Sequence, residues 1–275
     1  MKLKFYIVTY NRYNDLHATL DSLFNTDLFV NTVYDNWSKE VYIVNNHSNF
    51  NLDLKYHDKV KVLHNTMRPD FSCGHLSRNY NEIFINGFKD LNNPDCDLLM
   101  HSHDDNIFHP NFFEQLLLYH KRYNLITFSQ GCGFMSYTAE AVKKIGMWDE
   151  RFCTIGYHEG DYFLRAIKYN HEHTSINDPR QLRIWNPLPH IVYKIPGTDL
   201  NSAHTESQKY YSVCRQLFEQ KWNGVKDTNY SPNLLNILSD PKINMHMMYP
   251  YFEKDLYDLP TKYFTNIDIN GRKFM

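Results

Sequence analysis

One stretch constrains the fold of this chain more than any other. An apolar segment, Asp97-Leu98-Leu99-Met100, runs straight into two adjacent carboxylates, Asp104 and Asp105. His101 and His103 flank them, and Pro110 follows. Carboxylates at the end of a buried strand are costly unless water, a cation or hydrogen-bond donors satisfy them. A hard divalent cation carrying phosphate oxygens suits such a pair. The run therefore asks for a fold whose strands end at a ligand crevice.

The neighbouring segments describe such a fold. Residues 5–9 form a short apolar run, expected as a first strand and broken at Asn11-Arg12. Leu16, Leu20, Leu23 and Phe24 then recur with helical spacing. Residues 40–44 (EVYIV) give a second strand ending in the polar turn Asn45-Asn46-His47-Ser48, and residues 60–63 give a third. A helix is expected from residue 76 to about 88, with Tyr80, Ile83, Phe84 and Phe88 on one face. Residues 97–100 form the fourth strand. Phe112, Phe113, Leu116 and Leu117 mark the helix after Pro110, and residues 125–128 and 133–136 read as further strands. Strand-helix alternation of this kind predicts an α/β fold, a mostly parallel sheet covered by helices on both faces. Such sheets bind ligands beyond the carboxyl ends of their strands. Asn11, Asn45 and Asp104-Asp105 all fall at those ends, so three clusters distant in sequence are expected to converge.

After Arg165 the pattern loosens. Pro179, Pro187, Pro189 and Pro196 suggest loops around short strands. Residues 210–222 return to helix, with Tyr210, Cys214, Leu217 and Phe218 on one stripe. The expected organisation is one domain over residues 1–224, with a polar, aromatic extension over residues 225–275 packing on it. A formal net charge of −2 gives no general reason to bind nucleic acid or an anionic membrane. Five cysteines form no CxxC pair, and MKLKFYIVTYN turns polar too early for a secretory leader. The thiols are thus expected to be reduced, in a soluble cytoplasmic protein. Aromatics make up 16% of the chain, with 21 Tyr; tyrosine adds area while keeping a polar tip, which suits a groove as well as a core.

Taken in order, these motifs resemble those of the GT-A glycosyltransferases, especially the family 2 type, over residues 3 to about 224. IVTYNR, residues 7–12, resembles the family's first strand and nucleotide-binding turn, which implies donor contacts from Thr9, Tyr10, Asn11 and Arg12. IVNNHSN places Asn45 where the family usually reads the base with an aspartate. Ser77-Arg78-Asn79 resembles an element beside the nucleotide, implying a donor role for Arg78. HDDNIFHP aligns with the metal-binding DxD element. Asp105 matches its last aspartate, a metal ligand, and Asp104 its middle position, a donor contact. His103 stands in for the first aspartate, and the resemblance implies it as a metal ligand beside Asp105. GCGFMSY resembles the glycine-rich strand beside the donor sugar, which includes Gly133. In GYHEGDYFLR, Arg165 fixes the register, so Glu159 matches the catalytic base, Asp161 the last aspartate of that element and His158 the acid before the base. His204 matches a late histidine that completes the metal site, with His190 as its rival.

The resemblance implies a metal-dependent, inverting glycosyltransferase that moves a sugar from a nucleotide-diphosphate sugar to a hydroxyl acceptor. A divalent cation bridging both phosphates would neutralise the leaving group. Oxygen ligands favour Mn²⁺ or Mg²⁺, and an imidazole tilts the choice to Mn²⁺. The acceptor hydroxyl needs a base within hydrogen-bond reach, and Glu159 is the candidate. The acceptor implied first is a glycan, such as a surface polysaccharide or lipopolysaccharide. The Asn, Tyr and Phe bias also leaves open a viral enzyme acting on a capsid glycan or on a modified DNA base.

Other readings stand beside these. Asp104 and Asp105 could cap a helix. Glu159 and Asp161 could complement a helix dipole. Asn11 and Asn45 could be turn residues only, and Arg165 reads best as a structural ion-pair partner. His101, His103 and Asp105 match three positions of the HxHxDH signature of metallo-β-lactamase-like hydrolases. A non-catalytic GT-A domain that binds a nucleotide sugar or glycan is the third reading, motivated by Asn45 and His103. The donor nucleotide, any peripheral membrane contact and the oligomeric state stay open. Asn45 offers both a donor and an acceptor where aspartate only accepts.

Overall fold

The computed structural model describes residues 1–65, 76–128, 132–152, 156–173, 191–196 and 211–222. Its centre is a six-stranded sheet of order β3-β2-β1-β4-β7-β6. The strands are β1 (Lys2–Thr9), β2 (Ser38–Asn45), β3 (Lys61–His64), β4 (Leu98–His103), β6 (Leu125–Phe128) and β7 (Phe134–Tyr137). The first four are parallel, and β7 runs antiparallel to both β4 and β6. The sheet is therefore mixed but mostly parallel, as the α/β expectation requires.

β1 lies at the middle of the parallel part, where strands are apolar on both faces. Leu3, Phe5 and Ile7 enter one core, with Leu16, Leu20 and Leu23 of helix α1 (Tyr13–Phe24) and Phe112, Phe113 and Leu116 of α4 (Phe112–His120). Tyr6 and Val8 enter the other, with Tyr80, Ile83, Phe84 and Phe88 of α3 (Leu76–Phe88) and with α5 (Ala139–Ile145) and α6 (Tyr157–His173). A short helix, α2 (Asp27–Val30), follows α1. Lys4 is the polar exception on β1. Its buried ammonium donates to the carbonyls of Asn86 and Gly87 and to Asp95 at 2.7 Å, so the charge is paired where the strand begins.

The expected elements appear within one to three residues of their observed bounds. The largest differences are at β1, which begins three residues before Phe5, and at β4, which continues three residues beyond Met100. Both His101 and His103 are thus strand residues, and only the carboxylates lie in the turn. Helices α2 and α5 and the short strand β5 (Asn106–Phe108) have no counterpart in the expectation, while the antiparallel partner of β5, β8 (Val192–Lys194), falls in the stretch expected to hold loops around short strands. The last described helix, α7 (Tyr211–Lys221), packs on α6. His190, His204 and residues 225–275 lie outside the described residues. Cys96, Cys132 and Cys214 are buried free thiols. Among the described residues, no helix is long and apolar enough to cross a membrane.

Two buried histidines link this fold to pH. His101, against the Cys132 carbonyl and Tyr137, is pushed by burial down to about 3, and His120, on Ser136 and the Tyr123 carbonyl, down to about 4. Both stay neutral in the folded state while the unfolded chain takes up protons below about 6.5. Their stabilising contribution is complete above that pH and is lost as pH falls toward the folded values. Asp104, raised by burial to about 7, acts oppositely over part of this range. Two histidines against one carboxyl leave a net loss of at most about 1.4 kcal/mol per pH unit, approached near pH 5. Urea unfolding at pH 7.5 and 5.0 tests this. Equal midpoints would contradict it, and His120→Gln should flatten the slope.

Candidate active site

The turn after β1 begins the site. Asn11 sits in the left-handed region with φ of 53°, a conformation Asn tolerates better than most L-residues. The Thr9 hydroxyl donates to Asp104 Oδ2 at 2.7 Å, and the Tyr10 amide approaches the same oxygen at 3.4 Å. From α1, the Thr19 hydroxyl donates to the Asp104 carbonyl at 2.8 Å. Asp104 is thereby fastened between β1 and α1.

Asp105 is held differently. Arg12, at the head of α1, donates from Nη1 to Asp105 Oδ2 at 3.2 Å and lies 3.9 Å from Asp104 Oδ1. Lys194 donates from Nζ to Asp105 Oδ1 at 2.5 Å and to His103 Nδ1 at 3.1 Å. The β5–β8 ribbon aims that lysine. Asn106 pairs with Lys194, and the Ile195 amide donates to the Asp105 carbonyl at 2.8 Å. Two carboxylates and two cations therefore meet in one place. Burial raises both acids, but Lys194 and then Arg12 hold Asp105 well below the usual carboxylate range. Asp104 rises to about 7, through burial and the neighbouring Asp105 charge against the opposing pull of Arg12.

A hydrogen-bonded chain leads from this cluster to Glu159. Burial, then the Lys194 charge, pushes His103 well below the usual histidine range, so its ring is neutral. An ammonium can only donate, so Nδ1 accepts from Lys194 and Nε2 carries the proton given to the Tyr80 hydroxyl at 2.7 Å. Tyr80 is then free to donate to Cys132 Sγ at 3.3 Å, and the thiol donates to Glu159 Oε1 at 3.0 Å. Burial, and next the Glu159 charge, push that thiol well above its usual range, so it keeps its proton. The Cys132 amide adds a second donor to Glu159 Oε1 at 3.0 Å. Glu159 itself lies in the first turn of α6, after Gly156, whose φ of 94° suits glycine.

The other sequence-named residues take these places. Asn45 is buried at the end of β2. Its amide donates toward the His47 carbonyl and His64 Nδ1, and its oxygen accepts from the His47 amide, so it builds the turn. Arg78 donates to Glu150 at 3.1 Å. The Gly133 carbonyl accepts from the His103 amide at 2.9 Å and from the Asn106 side chain, which ties β7 to the carboxylate turn. Asp161 is wholly buried. Arg165 and Trp222 each donate to it at 3.0 Å and Lys221 at 2.5 Å, while Lys221 also reaches Asp149 at 2.9 Å. That arrangement locks α6 to α7. His101 turns its ring nitrogens to Cys132 and Tyr137 and stacks on Tyr80 at 4.0 Å, so it does not join His103 and Asp105 as the hydrolase signature would need.

The divalent cation implied by the resemblance can be tested on these groups. Asp105 and His103 are suitable donor types, but both Asp105 oxygens and both His103 nitrogens already have partners, and one ammonium bridges the two side chains. As they stand, they do not form the open, oxygen-rich set that Mn²⁺ or Mg²⁺ takes. Elsewhere, Cys132, His158 and Glu159 each bring a ligand atom within 4.8 Å of the others and form a group able to hold a metal ion. Sequence reading missed Lys194, Tyr80 and the polar part of Cys132. Tyr80 looked like one more apolar-stripe residue, and Cys132 like a small buried one. Nothing local in the sequence marks Lys194, because its place depends on pairing between strands about 90 residues apart.

No protein-family model matches the chain, and no curated protein matches it. Among solved structures, S. aureus TarS residues 1–349 matches with a TM-score of 0.50 at 13% identity, covering 96% of this chain and 80% of that one. A mannosyltransferase from Pyrobaculum calidifontis, solved with GDP-Man and Mn²⁺, matches with a TM-score of 0.48 at 11% identity, covering 95% and 71%. Another S. aureus TarS chain is matched over 34% of its length, so this chain spans about a third of it. The likeness is one of fold, and the fold is GT-A-like, that of glycosyltransferases.

Proposed function

We propose that the protein transfers a sugar from a nucleotide-diphosphate sugar to a hydroxyl acceptor at the carboxyl ends of β1, β2 and β4. The observation that carries this reading is convergence. Thr9, Asn45 and Asp104-Asp105 end three neighbouring parallel strands, where α/β sheets bind nucleotides. The directed chain through Lys194, His103, Tyr80 and Cys132 joins that edge to Glu159.

In this reading the β1–α1 turn, residues 9–12, seats the nucleotide diphosphate, and Asp104 orients the ribose or sugar. Arg12 meets phosphate charge. Glu159 takes the proton of the acceptor hydroxyl, and one base with in-line attack inverts the anomeric centre. Asp161 holds α6 in place and does not touch substrate. The acceptor class we assign is a glycan. The near-neutral charge of the chain gives DNA no electrostatic advantage.

Thermal-shift measurement with nucleoside diphosphates and their sugars tests the donor class. A ligand at a hundred times its Kd stabilises the native state by about 2.7 kcal/mol, which in a domain of this size moves Tm by roughly 5–10 °C. One nucleotide base is expected to stand out. A flat response across uridine, guanosine, adenosine, cytidine and thymidine diphosphates and their sugars would remove the reading.

A further inference from the structure

We infer that Lys194 is the resident counter-cation of this site. It occupies the position between Asp105 and His103 that a divalent cation would take, and it binds the donor diphosphate directly, without a metal. The inference rests on the nucleotide-diphosphate reading above and adds which group carries the charge.

The geometry is that of a cation between its ligands. One ammonium lies 2.5 Å from Asp105 Oδ1 and 3.1 Å from His103 Nδ1, with Arg12 on the opposite carboxylate oxygen at 3.2 Å. The lysine is aimed by backbone: β8 pairs with β5 in a register that sets Lys194 opposite Asn106, next to the carboxylates in the chain. The Lys194 side chain keeps 17% of its surface exposed, whereas Asp105 keeps 5%, so the lysine side chain is the more accessible of the two. Lysine has three donors. Two are used among the described residues, which leaves a third for a phosphate oxygen. Arg12 is a second fixed cation, with 23% of its side chain exposed. Together they offer two positive charges to a diphosphate leaving group, the task a metal performs in a metal-dependent site.

Calorimetry with the nucleoside diphosphate selected by thermal shift, in EDTA and in Mn²⁺, tests this on the full chain. The wild-type protein is expected to bind in EDTA, and Lys194→Met to lose about ten- to a hundredfold in that affinity, the span of one charge-assisted hydrogen bond. Lys194→Arg should keep most of it. Removing the ammonium also frees Asp105 and His103, so Lys194→Met is expected to bind Mn²⁺ more tightly than wild type, read by the free-Mn²⁺ electron paramagnetic resonance signal. A lysine that only supports the fold would not produce that gain. Wild-type binding that requires Mn²⁺ would overturn the inference and leave the proposed function standing. Equal metal-free affinity in wild type and Lys194→Met would also overturn it. Absence of nucleotide binding with or without Mn²⁺ would overturn the proposed function, and this inference with it.

Discussion

Glu159→Gln is expected to lower sugar transfer by about 10²–10⁴-fold, the usual contribution of a positioned general base. Donor affinity should stay within about twofold. The amide keeps the volume of the carboxylate and can still accept from the Cys132 amide and thiol, both 3.0 Å from the present oxygen. It has no basic oxygen for a hydroxyl proton. The neighbouring Cys132 cannot substitute, because burial, the largest cause that keeps its thiol protonated, remains in the variant. Steady-state rates and calorimetric donor affinity, measured on the same preparation, separate the two effects. Unchanged turnover would move the base elsewhere. A parallel loss of donor affinity would make Glu159 a binding group instead.

Asp161→Ala is expected to act on stability, by about 3–5 kcal/mol, the cost of leaving buried charge without its partner. Asp161, Arg165 and Lys221 are all fully buried. Arg165 has Asp161 Oδ2 at 3.0 Å and the Ile145 carbonyl at 2.7 Å, so the substitution removes its charged partner. Lys221 keeps Asp149 at 2.9 Å but loses the contact to Asp161, and the Trp222 indole loses its acceptor. The loss falls on the junction of α6 with α7 and so on the element carrying Glu159. Urea unfolding gives the magnitude. Asp161→Asn supplies the control. It should retain the Trp222 hydrogen bond and part of the stability, with turnover per folded molecule near wild type. An Asp161→Asn protein as stable as wild type but inactive would assign Asp161 to the chemistry.

The fold was largely legible because its signals are local. Apolar runs such as residues 5–9 and helical spacing such as Leu16, Leu20 and Leu23 depend on short stretches, and both correspond to observed elements. Strand ends were legible for the same reason, and they placed Asn11, Asn45 and Asp104-Asp105 on one edge. The failures are non-local. β5 and β8 are three residues each, too short to carry a period, and exist because they pair. Lys194 follows from that pairing. Polar roles inside an apolar stripe are hidden too, since Tyr80 serves the core through its ring and the site through its hydroxyl. Asp161 was read beside Glu159 from a shared motif. Two residues apart on a helix, they point in different directions, one toward Cys132 and the other into the α6–α7 junction.

Release of nucleoside diphosphate from a panel of nucleotide sugars, with water as the acceptor, tests the central claim most directly. The wild-type protein is expected to consume one donor slowly, and Asp105→Asn, which removes the carboxylate charge that positions Lys194 and Arg12 for the diphosphate, to lose that turnover while remaining folded. A panel in which no donor is consumed would contradict the assignment, and so would turnover that survives Asp105→Asn unchanged.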